Sequence, residues 1–335
     1  MANRDIIVIG GSSGATNPLK AILGSLPAEL PAAVFVILHI PARSTGILAT
    51  VASAAGPLAV VQAEDRMPIA PGTVYIAAPD RHMLLGDGVI RLGRGPRENM
   101  SRPAIDPLFR SAALCCGPRT VGAVLTGTLR DGAAGLSALK QCGGITVVQD
   151  PGDAPYSEMP AMALARSHPD HIVGLAGMPA LLESLVRLPA GGPVPVPGNL
   201  EYEVNVASNG QTGMSEMDRI GRRSVLACPD CHGVMWEIED GDLVRYRCHE
   251  GHAYSAEIMS LALDDNLRRA FASALRALEE RVALARKLEQ QATATGRALS
   301  ARSWADKARE FEDEARIIRN SIRRTDEIAA KFSAA

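Results

Sequence analysis

The stretch DIIVIGGSSGATNPLKAIL, residues 5–23, begins the pattern that decides the fold of this chain. An apolar run at 6–9 ends in a turn rich in glycine and serine, and a helical pattern with Pro18 near its start follows. A strand, a tight turn and a helix in this order either cradle a phosphate or expose a serine for nucleophilic attack. The rest of the sequence has to decide between these two interpretations.

The alternation of apolar strand and helix continues through residues 1–187. Apolar runs predict strands at 5–10, 33–39, 58–61, 73–77, 121–126, 144–148 and 171–174, and helical patterns fall at 16–25, 44–54, 106–116, 132–141, 159–167 and 178–187. This pattern indicates an α/β fold with a doubly wound, mainly parallel sheet that has helices on both faces. The Asp-Gly pair in LLGDGVIRLG, residues 84–93, predicts a hairpin appended to that sheet.

Composition limits the possible functions. The 335 residues are 47% hydrophobic and 21% charged, which suits one large domain with smaller units attached. The formal net charge of −2 provides no basic field for nucleic acid. We find neither a signal-peptide pattern nor an apolar run of the roughly 18 residues that span a bilayer. We therefore expect a soluble, cytoplasmic protein without membrane insertion.

Three further regions follow the α/β pattern. Residues 188–222 are rich in proline, glycine and polar residues, which predicts an extended linker. Residues 223–254 contain a compact Cys/His unit, and residues 255–335 have the pattern of two long helices separated near TATG, residues 293–296.

The two long helices carry apolar residues at heptad spacing. These positions are Leu267, Phe271, Leu275, Leu278, Val282 and Ala285 in the first helix, and Trp304, Ala308, Phe311, Ala315, Ile318, Ile322 and Thr325 in the second. The spacing predicts an antiparallel helical hairpin. The hairpin either buries this stripe within itself or uses it to form a homodimer or to dock a regulatory partner.

The glycines of the opening turn distinguish between phosphate binding and nucleophilic attack. Gly10, Gly11 and Gly14 do not match the dinucleotide pattern G-x-G-x-x-G, and no acidic residue closes the second strand near position 35. The pattern G-x-S-x-G matches in full, with Ser12 at its centre. A plain tight turn is the alternative. Ser13 is expected to support the turn or an oxyanion site.

A nucleophilic serine needs a base, and the base needs a carboxylate that orients it. In a parallel sheet these partners should follow the carboxyl ends of other strands. His39 closes the second predicted strand, and Asp131 follows the strand at 121–126. Asp131 could instead cap the helix that begins after it. The remaining histidines of this region fit the same edge less well: His82, His168 and His171.

Four motifs carry a resemblance to a known family: IGGSSGA, ILHIP, SRPAIDPLFRSAA and LTGTLRDGAAGL. In this order and spacing they resemble the catalytic domain of CheB-type chemotaxis protein-glutamate methylesterases, over roughly residues 5–187. The resemblance implies that Ser12 is the nucleophile, His39 the general base and Asp131 its aspartate, with the backbone N–H of Thr128 as an oxyanion donor. The order Ser, His, Asp differs from that of the α/β-hydrolases.

The resemblance also implies a reaction. It is hydrolysis of glutamyl γ-methyl esters on the cytoplasmic helices of chemoreceptors, with glutamine deamidation as a related activity and without a cofactor for catalysis. The alternatives are an esterase, amidase or deacylase acting on another protein substrate outside chemotaxis, or a scaffold or sensor that uses its C-terminal units.

The sequence departs from the family pattern at three places. Thr128-Leu129-Arg130 stands where the family often has Met-Gly-Asn, and Arg130 would add charge beside the site, which bears on substrate preference. Ala15 replaces a usual glycine. Typical members carry a phosphorylatable receiver domain upstream. Here residue 5 already starts the first esterase strand, so we expect no receiver within the chain to gate the activity.

The stretch CPDCHGVMWEIEDGDLVRYRCHEGHAY, residues 228–254, has paired metal-ligand spacing. Cys228, Cys231, Cys248 and His252 predict a zinc ribbon with a closed, structural zinc site. His249 competes with His252, which we favour because the C-x-x-G-H form resembles the ribbon of some multi-domain relatives. A redox pair at Cys228 and Cys231 is the alternative, but it leaves the second ligand pair unexplained.

The remaining cysteines and the C-terminal region complete the sequence-based expectations. Cys115, Cys116 and Cys142 are scattered among apolar residues and are expected to be inert. The ribbon and the helical hairpin together are expected to localise or regulate the esterase, in place of a receiver domain.

Overall fold

The computed structural model of the protein describes residues 3–44, 46–128, 131–210, 213–240 and 243–333. Its internal contacts divide the chain into two compact units, Met1–Met259 and Ser260–Ala335. The first unit contains the α/β fold and the Cys/His segment, and the second is helical. Within the described ranges, no helix has both the length and the apolar composition needed to cross a bilayer.

A sheet of seven parallel strands forms the centre of the first unit. The strands before residue 188 are β1 (Ile6–Gly11), β2 (Ala33–Leu38), β3 (Ala59–Gln62), β4 (Thr73–Ile76), β5 (His82–Gly86), β6 (Val89–Gly93), β7 (Thr120–Val124), β8 (Ile145–Gln149) and β9 (His171–Val173). The large sheet has the order β3-β4-β2-β1-β7-β8-β9, and all its neighbours pair in parallel. Each of the seven predicted strands is present.

Helices cover both faces of this sheet. They are α1 (Thr16–Ser25), α2 (Ile47–Ser53), α3 (Ile105–Cys116), α4 (Ala133–Gln141), α5 (Glu158–Ser167) and α6 (Met178–Arg187). Because successive side chains of a strand point to opposite faces, neighbouring residues of β1 belong to different cores. Val8 lies in the cluster that contains Phe109 of α3, and Ile9 lies in the cluster that contains Leu19 of α1. The doubly wound α/β fold is confirmed.

The predicted hairpin is present as β5 and β6, which pair antiparallel around Asp87 and Gly88. Both turn residues have positive φ, 54° and 74°, as a two-residue hairpin turn requires. The hairpin forms its own two-stranded sheet and pairs with no strand of the large sheet among the described residues. The Leu85 N–H of β5 donates to Ser111 Oγ of α3 at 3.0 Å, and this hydrogen bond connects the hairpin to α3.

The prediction of an extended linker at 188–222 is wrong for 17 of its 35 residues. The structure has two helices there, α7 (Leu200–Asn209) and α8 (Met214–Ile220). Glu203 of α7 is 1% exposed and binds arginines of the later Cys/His segment. No local sequence pattern indicates such contacts.

The Cys/His segment folds as a four-stranded antiparallel sheet. Its strands are β10 (Arg222–Ala227), β11 (Val234–Asp240), β12 (Leu243–Cys248) and β13 (Ala253–Ser255). The strands β11 and β12 pair antiparallel, and Trp236 of β11 is fully buried beside Met217 and Ile238. We refer to residues 222–255 as the ribbon.

Two long helices follow the ribbon, α9 (Ala256–Ala294) and α10 (Ala298–Ser333). They are joined at Gly296, whose φ is +71°. Ala285, Ala308 and Ala315 of the predicted stripe are buried, and the helices are linked by ion pairs such as Arg286–Glu312 at 3.0 Å. The helical hairpin is confirmed, although Leu267 of the stripe is 45% exposed. A homodimer or a regulatory contact through these helices stays a prediction.

The cysteines outside the ribbon differ in their bonding. Cys115 and Cys116, adjacent at the end of α3, form a disulfide, and Cys115 is exposed. Only Cys142 of this group is a free, buried thiol as expected. Adjacency in the sequence did not by itself indicate the bond.

A cluster of buried charges joins the ribbon to the α/β fold. Glu203 of α7 accepts two hydrogen bonds from Arg245 of β12, at 2.7 and 2.9 Å, and one from Arg247 at 2.9 Å. Glu98 accepts from Arg247 at 3.1 Å and forms an ion pair with Arg110 of α3. All five side chains are less than 8% exposed. A buried ion stays in place only when it is paired, so the ribbon and α3 are held together by one charge network.

We predict that Glu203→Ala strongly destabilises the first unit, because three arginines would lose a buried partner. Removal of one member of a buried ion pair typically costs about 3–5 kcal/mol in the free energy of unfolding. Urea titration of the full chain measures this loss. The control is Glu201→Ala on the same helix, where the side chain is exposed and the change should stay within about 0.5 kcal/mol. Equal losses in the two variants would contradict the role of the cluster.

Candidate active site

The candidate site lies at the carboxyl edge of the large sheet. The strand order changes direction between β1 and β7, and open α/β sheets bind ligands at the carboxyl ends of strands beside such a switch point. Ser12 directly follows β1, His39 follows β2, and Asp131 lies in the loop after β7. The three strands are neighbours, so the sheet brings the three predicted residues to one edge.

The turn after β1 holds Ser12 in place. The Ser12 N–H donates to Thr126 O at 3.0 Å, and the Ala15 N–H donates to Ser12 O at 3.1 Å. Gly14 has φ +74°, which favours glycine. A Cβ at Gly11 would lie 2.7 Å from Cβ of Ala15, so this position also requires glycine. These constraints explain the G-x-S-x-G pattern as a sharp turn between β1 and α1.

His39 connects the other two side chains. Its Nδ1 lies 3.1 Å from Ser12 Oγ, and its Nε2 lies 2.9 Å from Asp131 Oδ2. An ionised carboxylate only accepts hydrogen bonds, so Nε2 carries the proton toward Asp131. The lone pair of Nδ1 then faces the hydroxyl of Ser12. This is the arrangement that a general base needs next to a nucleophile.

Asp131 is buried, and its carboxylate accepts hydrogen bonds from several donors. The main-chain N–H groups of Ile105 and Gly132 donate to it at 2.6 and 2.9 Å, and Asn99 Nδ2 donates at 2.9 Å. Burial alone would raise the pKa of Asp131, but the hydrogen bond and charge of His39, with those donors, lower it to about 2. The carboxylate is therefore ionised at neutral pH.

These contacts also bear on the helix-cap alternative for Asp131. The cap residue of α4 is Gly132, and the Gly135 N–H of α4 donates to Asp106 at 2.7 Å. The backbone donors to Asp131 include Ile105, the first residue of α3. Asp131 therefore accepts from the start of α3 and from the histidine, and it also accepts from Gly132, the cap residue of α4.

Two residues of the site were missed by sequence reasoning, Asn99 and Asp106. Asn99 is 3% exposed, and its Nδ2 donates to Asp131 Oδ1 at 2.9 Å and to Asp106 Oδ2 at 3.0 Å. Burial, with the nearby charge of Asp131, raises the pKa of Asp106 to about 7. Asp106 stands inside the SRPAIDPLFRSAA motif, which was a signal for it. Asn99 lies in a loop without any pattern that could have identified it.

Ser13 follows Ser12 directly, and its side chain contacts that of Thr128. Their hydroxyl oxygens are 2.9 Å apart. Gly127 lies so close that a Cβ there would be 2.8 Å from Cβ of Ser12. Within the described ranges, the main-chain N–H groups of Ser13 and Thr128 donate no hydrogen bond. Leu129 and Arg130 lie outside the described residues.

The other histidines of the α/β fold lie elsewhere, as expected. His82 is buried, and its Nε2–H donates to Pro96 O at 2.8 Å. Burial lowers the pKa of His82, which keeps the ring neutral. His168 follows α5 and His171 begins β9, at the amino end of that strand, so both are at the other edge of the sheet.

Comparison with known proteins identifies the family. Residues 7–182 match the family model described as CheB methylesterase. The chain belongs to the CheB methylesterase family. All four motifs quoted above lie within the matched segment, and so do Ser12, His39 and Asp131.

Individual members of the CheB methylesterase family agree with this match. A Leptospira interrogans protein, provisionally named a protein-glutamate methylesterase/protein-glutamine glutaminase, is 37% identical over 187 residues, which cover 56% of this chain and 95% of that protein. A Methanosarcina mazei protein-glutamate methylesterase/protein-glutamine glutaminase 2 is 35% identical over 192 residues and is covered over 52% of its length. The crystal structure of the Thermotoga maritima CheB methylesterase catalytic domain superposes with a TM-score of 0.53 at 30% identity, covering 56% of this chain and all of that domain.

A second candidate site lies in the ribbon, outside the segment that matches the CheB methylesterase model. The ligand atoms of Cys228, Cys231, Cys248 and His252 all lie within 4.8 Å of one another. Cys231 Sγ and Cys248 Sγ are 3.6 Å apart, and Cys248 Sγ is 3.4 Å from His252 Nδ1. Zn–S bonds of about 2.3 Å in a tetrahedron put two sulfurs about 3.8 Å apart. The spacing and the donor atoms fit a metal ion.

The choice between the two histidines of the ribbon follows from the same distances. His252 belongs to the four-residue group, while the ring of His249 lies against Gly233, with Nε2 3.3 Å from the Glu250 carboxylate. Two main-chain turns hold the ligand pairs: the Cys228 N–H donates to Gly233 O, and the Cys248 N–H donates to His252 O, both at 2.9 Å. These turns orient both pairs toward one point.

We predict that Asp106 lowers the free energy of unfolding of the protein as the pH rises from about 4 to about 7. Its pKa is raised from about 3.9 in the unfolded chain to about 7, so its contribution is complete below pH 4 and is lost as the pH rises through 7. Urea titrations at intervals of half a pH unit measure the slope, which Asp106 makes steeper by at most about 1.4 kcal/mol per pH unit.

Asp106→Asn isolates this contribution, because it cannot ionise. As the pH rises from 4 to 7, the unfolding free energy of Asp106→Asn should increase relative to that of the unmodified protein. Asp264→Asn, at an exposed position, is the matched control and should leave the slope unchanged. A constant difference for Asp106→Asn would show that Asp106 is ionised throughout this range.

Proposed function

We propose that the protein is a serine hydrolase that removes methyl groups from glutamyl γ-methyl esters of chemoreceptors. The observation that carries this proposal is the hydrogen-bonded series Ser12, His39, Asp131 at the carboxyl edge of the sheet. Its relatives are named protein-glutamate methylesterase/protein-glutamine glutaminase, and the names support the same chemistry here.

The proposed reaction starts at Ser12. His39 Nδ1 takes the hydroxyl proton while Oγ attacks the ester carbonyl, and the carbonyl oxygen becomes an oxyanion. The main-chain N–H groups of Ser13 and Thr128 are the proposed donors to that oxyanion. Asp131 holds the ring in the required tautomer and stabilises the imidazolium that forms.

Collapse of the tetrahedral intermediate breaks the bond to the methoxy group. His39 returns the proton to the leaving oxygen, and methanol departs from a glutamyl ester of Ser12. Water then attacks this acyl-enzyme with His39 again as base, which releases the glutamate side chain and restores the serine. The side chains and amides of the site complete the cycle, so we propose that catalysis uses no cofactor.

The same acyl-enzyme can form from a glutamine side chain, with ammonia as the leaving group. His39 must then protonate a nitrogen, which is a poorer leaving group than methanol. The names of the relatives include glutaminase, and we propose glutamine deamidation as a second activity of the same three residues.

Two other functions remain as alternatives. An esterase, amidase or deacylase outside chemotaxis would use the same three residues on a different substrate. A scaffold or sensor would need none of them, and the pKa of about 2 for Asp131 weighs against a degenerate site, because a buried charge without a role is costly. Methylated receptor helices as the protein partner would also place the enzyme in the cytoplasm.

We further propose that Cys228, Cys231, Cys248 and His252 bind one structural zinc ion. The four donors leave no open coordination position for a substrate, which supports a structural rather than a catalytic role. The ribbon has a small apolar core around Trp236, so metal binding would supply much of its folding free energy.

We predict that Ser12→Ala lowers methanol release from methylated receptor fragments by roughly 10⁶-fold, because the nucleophile is lost. Asp131→Asn should lower it by about 10⁴-fold, because the tautomer of His39 reverses. Ser13→Ala is the control: it keeps the main-chain N–H and should cost less than about tenfold. Near-normal methanol release by Ser12→Ala would refute the assignment.

We predict a zinc content near one ion per chain, measured by elemental analysis after dialysis. Cys228→Ser should abolish it, because a hydroxyl is a poor substitute for a thiolate ligand. Cys142→Ser, which removes a buried thiol outside the ribbon, should leave the content unchanged. A metal-free chain whose ribbon amides are still protected from hydrogen exchange would contradict the zinc proposal.

A further inference from the structure

Asn99 stands between the ribbon and Asp131, and its side chain contacts both. Its Nδ2 donates to Asp131 Oδ1 at 2.9 Å, while its Oδ1 accepts from the main-chain N–H of Ser255 at 2.9 Å. Its own N–H donates to Ala253 O at 2.8 Å. Two of these three bonds therefore go to β13 of the ribbon, and the third goes to the carboxylate that orients His39.

The contact with β13 is next to a metal ligand. β13 begins at Ala253, one residue after His252. The Ala253 N–H donates to Arg97 O at 3.3 Å, so the strand and the loop before Asn99 bond in both directions. The position of His252 thus sets the position of the main-chain groups that hold Asn99.

The conformation of Asn99 needs this support. Its φ is +48° and that of Met100 is +63°, a backbone region that residues other than glycine seldom adopt. The neighbouring Glu98 is buried and paired with Arg247 of β12 at 3.1 Å, and Arg247 also donates to Gly251 O at 2.9 Å. Without the ribbon, the segment 97–100 would lose its hydrogen bonds to β13 and one of the two charge partners of Glu98, since only Arg110 of α3 would remain.

We propose that Asn99 is a positioning residue for Asp131 that the metal-bound ribbon holds in place, so that metal binding in the ribbon controls the rate of the esterase. The inference rests on the proposed hydrolase and on the proposed metal site. The ribbon is the element with two states, folded with metal and disordered without it.

Metal loss should slow the reaction without stopping it. Asp131 would lose the Asn99 donor but keep those of Ile105 and Gly132, so the triad would be less well oriented. One hydrogen bond to a charged group corresponds to roughly a ten- to hundredfold change in rate. The effect should fall on kcat, because Asn99 orients a side chain behind His39 and need not touch substrate.

The first test removes the metal from the full chain with a chelator and follows hydrolysis of p-nitrophenyl acetate. We expect kcat to fall roughly ten- to a hundredfold, KM to change less than about twofold, and added zinc to restore the rate. Hydrogen exchange of residues 97–106, measured in Ser12→Ala, should become faster on metal removal, and this readout requires no turnover.

The second test asks whether the metal acts through Asn99. Asn99→Gly tolerates the positive φ, keeps the main-chain bond to Ala253 and removes the three side-chain bonds, to Asp131, Asp106 and Ser255. If the metal acts through the side chain, removing zinc from Asn99→Gly should cause little further loss of kcat. Asn99→Asp keeps the acceptor for the Ser255 N–H but loses the donor to Asp131, and should be slow while retaining zinc.

Cys231→Ser removes the metal by mutation, and His232→Asn is its matched control. His232 is exposed and lies next to a ligand without belonging to the group, so its variant should keep both zinc and rate. Cys231→Ser should lose zinc and match the chelated protein in kcat and in exchange of 97–106.

Several outcomes would overturn the inference. They are an unchanged kcat after verified metal loss, an equal effect of metal loss in Asn99→Gly, and a chain that binds no zinc at all. A zinc-loaded protein that releases no methanol from methylated receptor fragments would instead refute the proposed function. The exchange of 97–106 in such a protein would still show whether the metal orders the Asn99 segment.

Discussion

The site depends on one buried negative charge. Asp131 is inside the protein, where an unpaired carboxylate would be protonated, yet its pKa is held at about 2 by the donors that surround it. Those donors come from the loop after β2, the start of α3, the start of α4 and the loop at residue 99. Because each donor must be within hydrogen-bond distance, the charge determines how these four parts of the fold are arranged around it.

A second set of buried charges extends this arrangement to the ribbon. Glu98 and Glu203 are paired with three arginines from α3 and β12, and Glu98 is the neighbour of Asn99. The ribbon is thus part of the same compact unit as the sheet, within Met1–Met259. Buried ion pairs contribute little net stability, but the loss of one partner is strongly destabilising. The pairs therefore define one arrangement of the ribbon against the esterase domain.

Prediction from sequence succeeded where local patterns determine structure. The inner strands of the large sheet are apolar runs buried on both faces, and the two terminal helices follow heptad spacing. The same reasoning failed at α7, because Glu203 binds arginines some forty residues further along the chain and a local composition cannot show this. It also missed Asn99, whose partners Asp131 and Ser255 are distant in sequence on either side.

The sequence by itself determined the elements, the candidate residues Ser12, His39 and Asp131, and the Cys/His group of the ribbon with its two competing histidines, because strand ends and ligand spacing are local features. Only the tertiary structure decided which nitrogen of His39 faces Ser12, which histidine joins the cysteines, and that the ribbon contacts the support of Asp131. These depend on distances between segments that become neighbours only after folding. The physical reason is that hydrogen bonds and metal coordination act over about 3 Å. The separation of two residues along the chain does not tell whether they come that close in the folded protein.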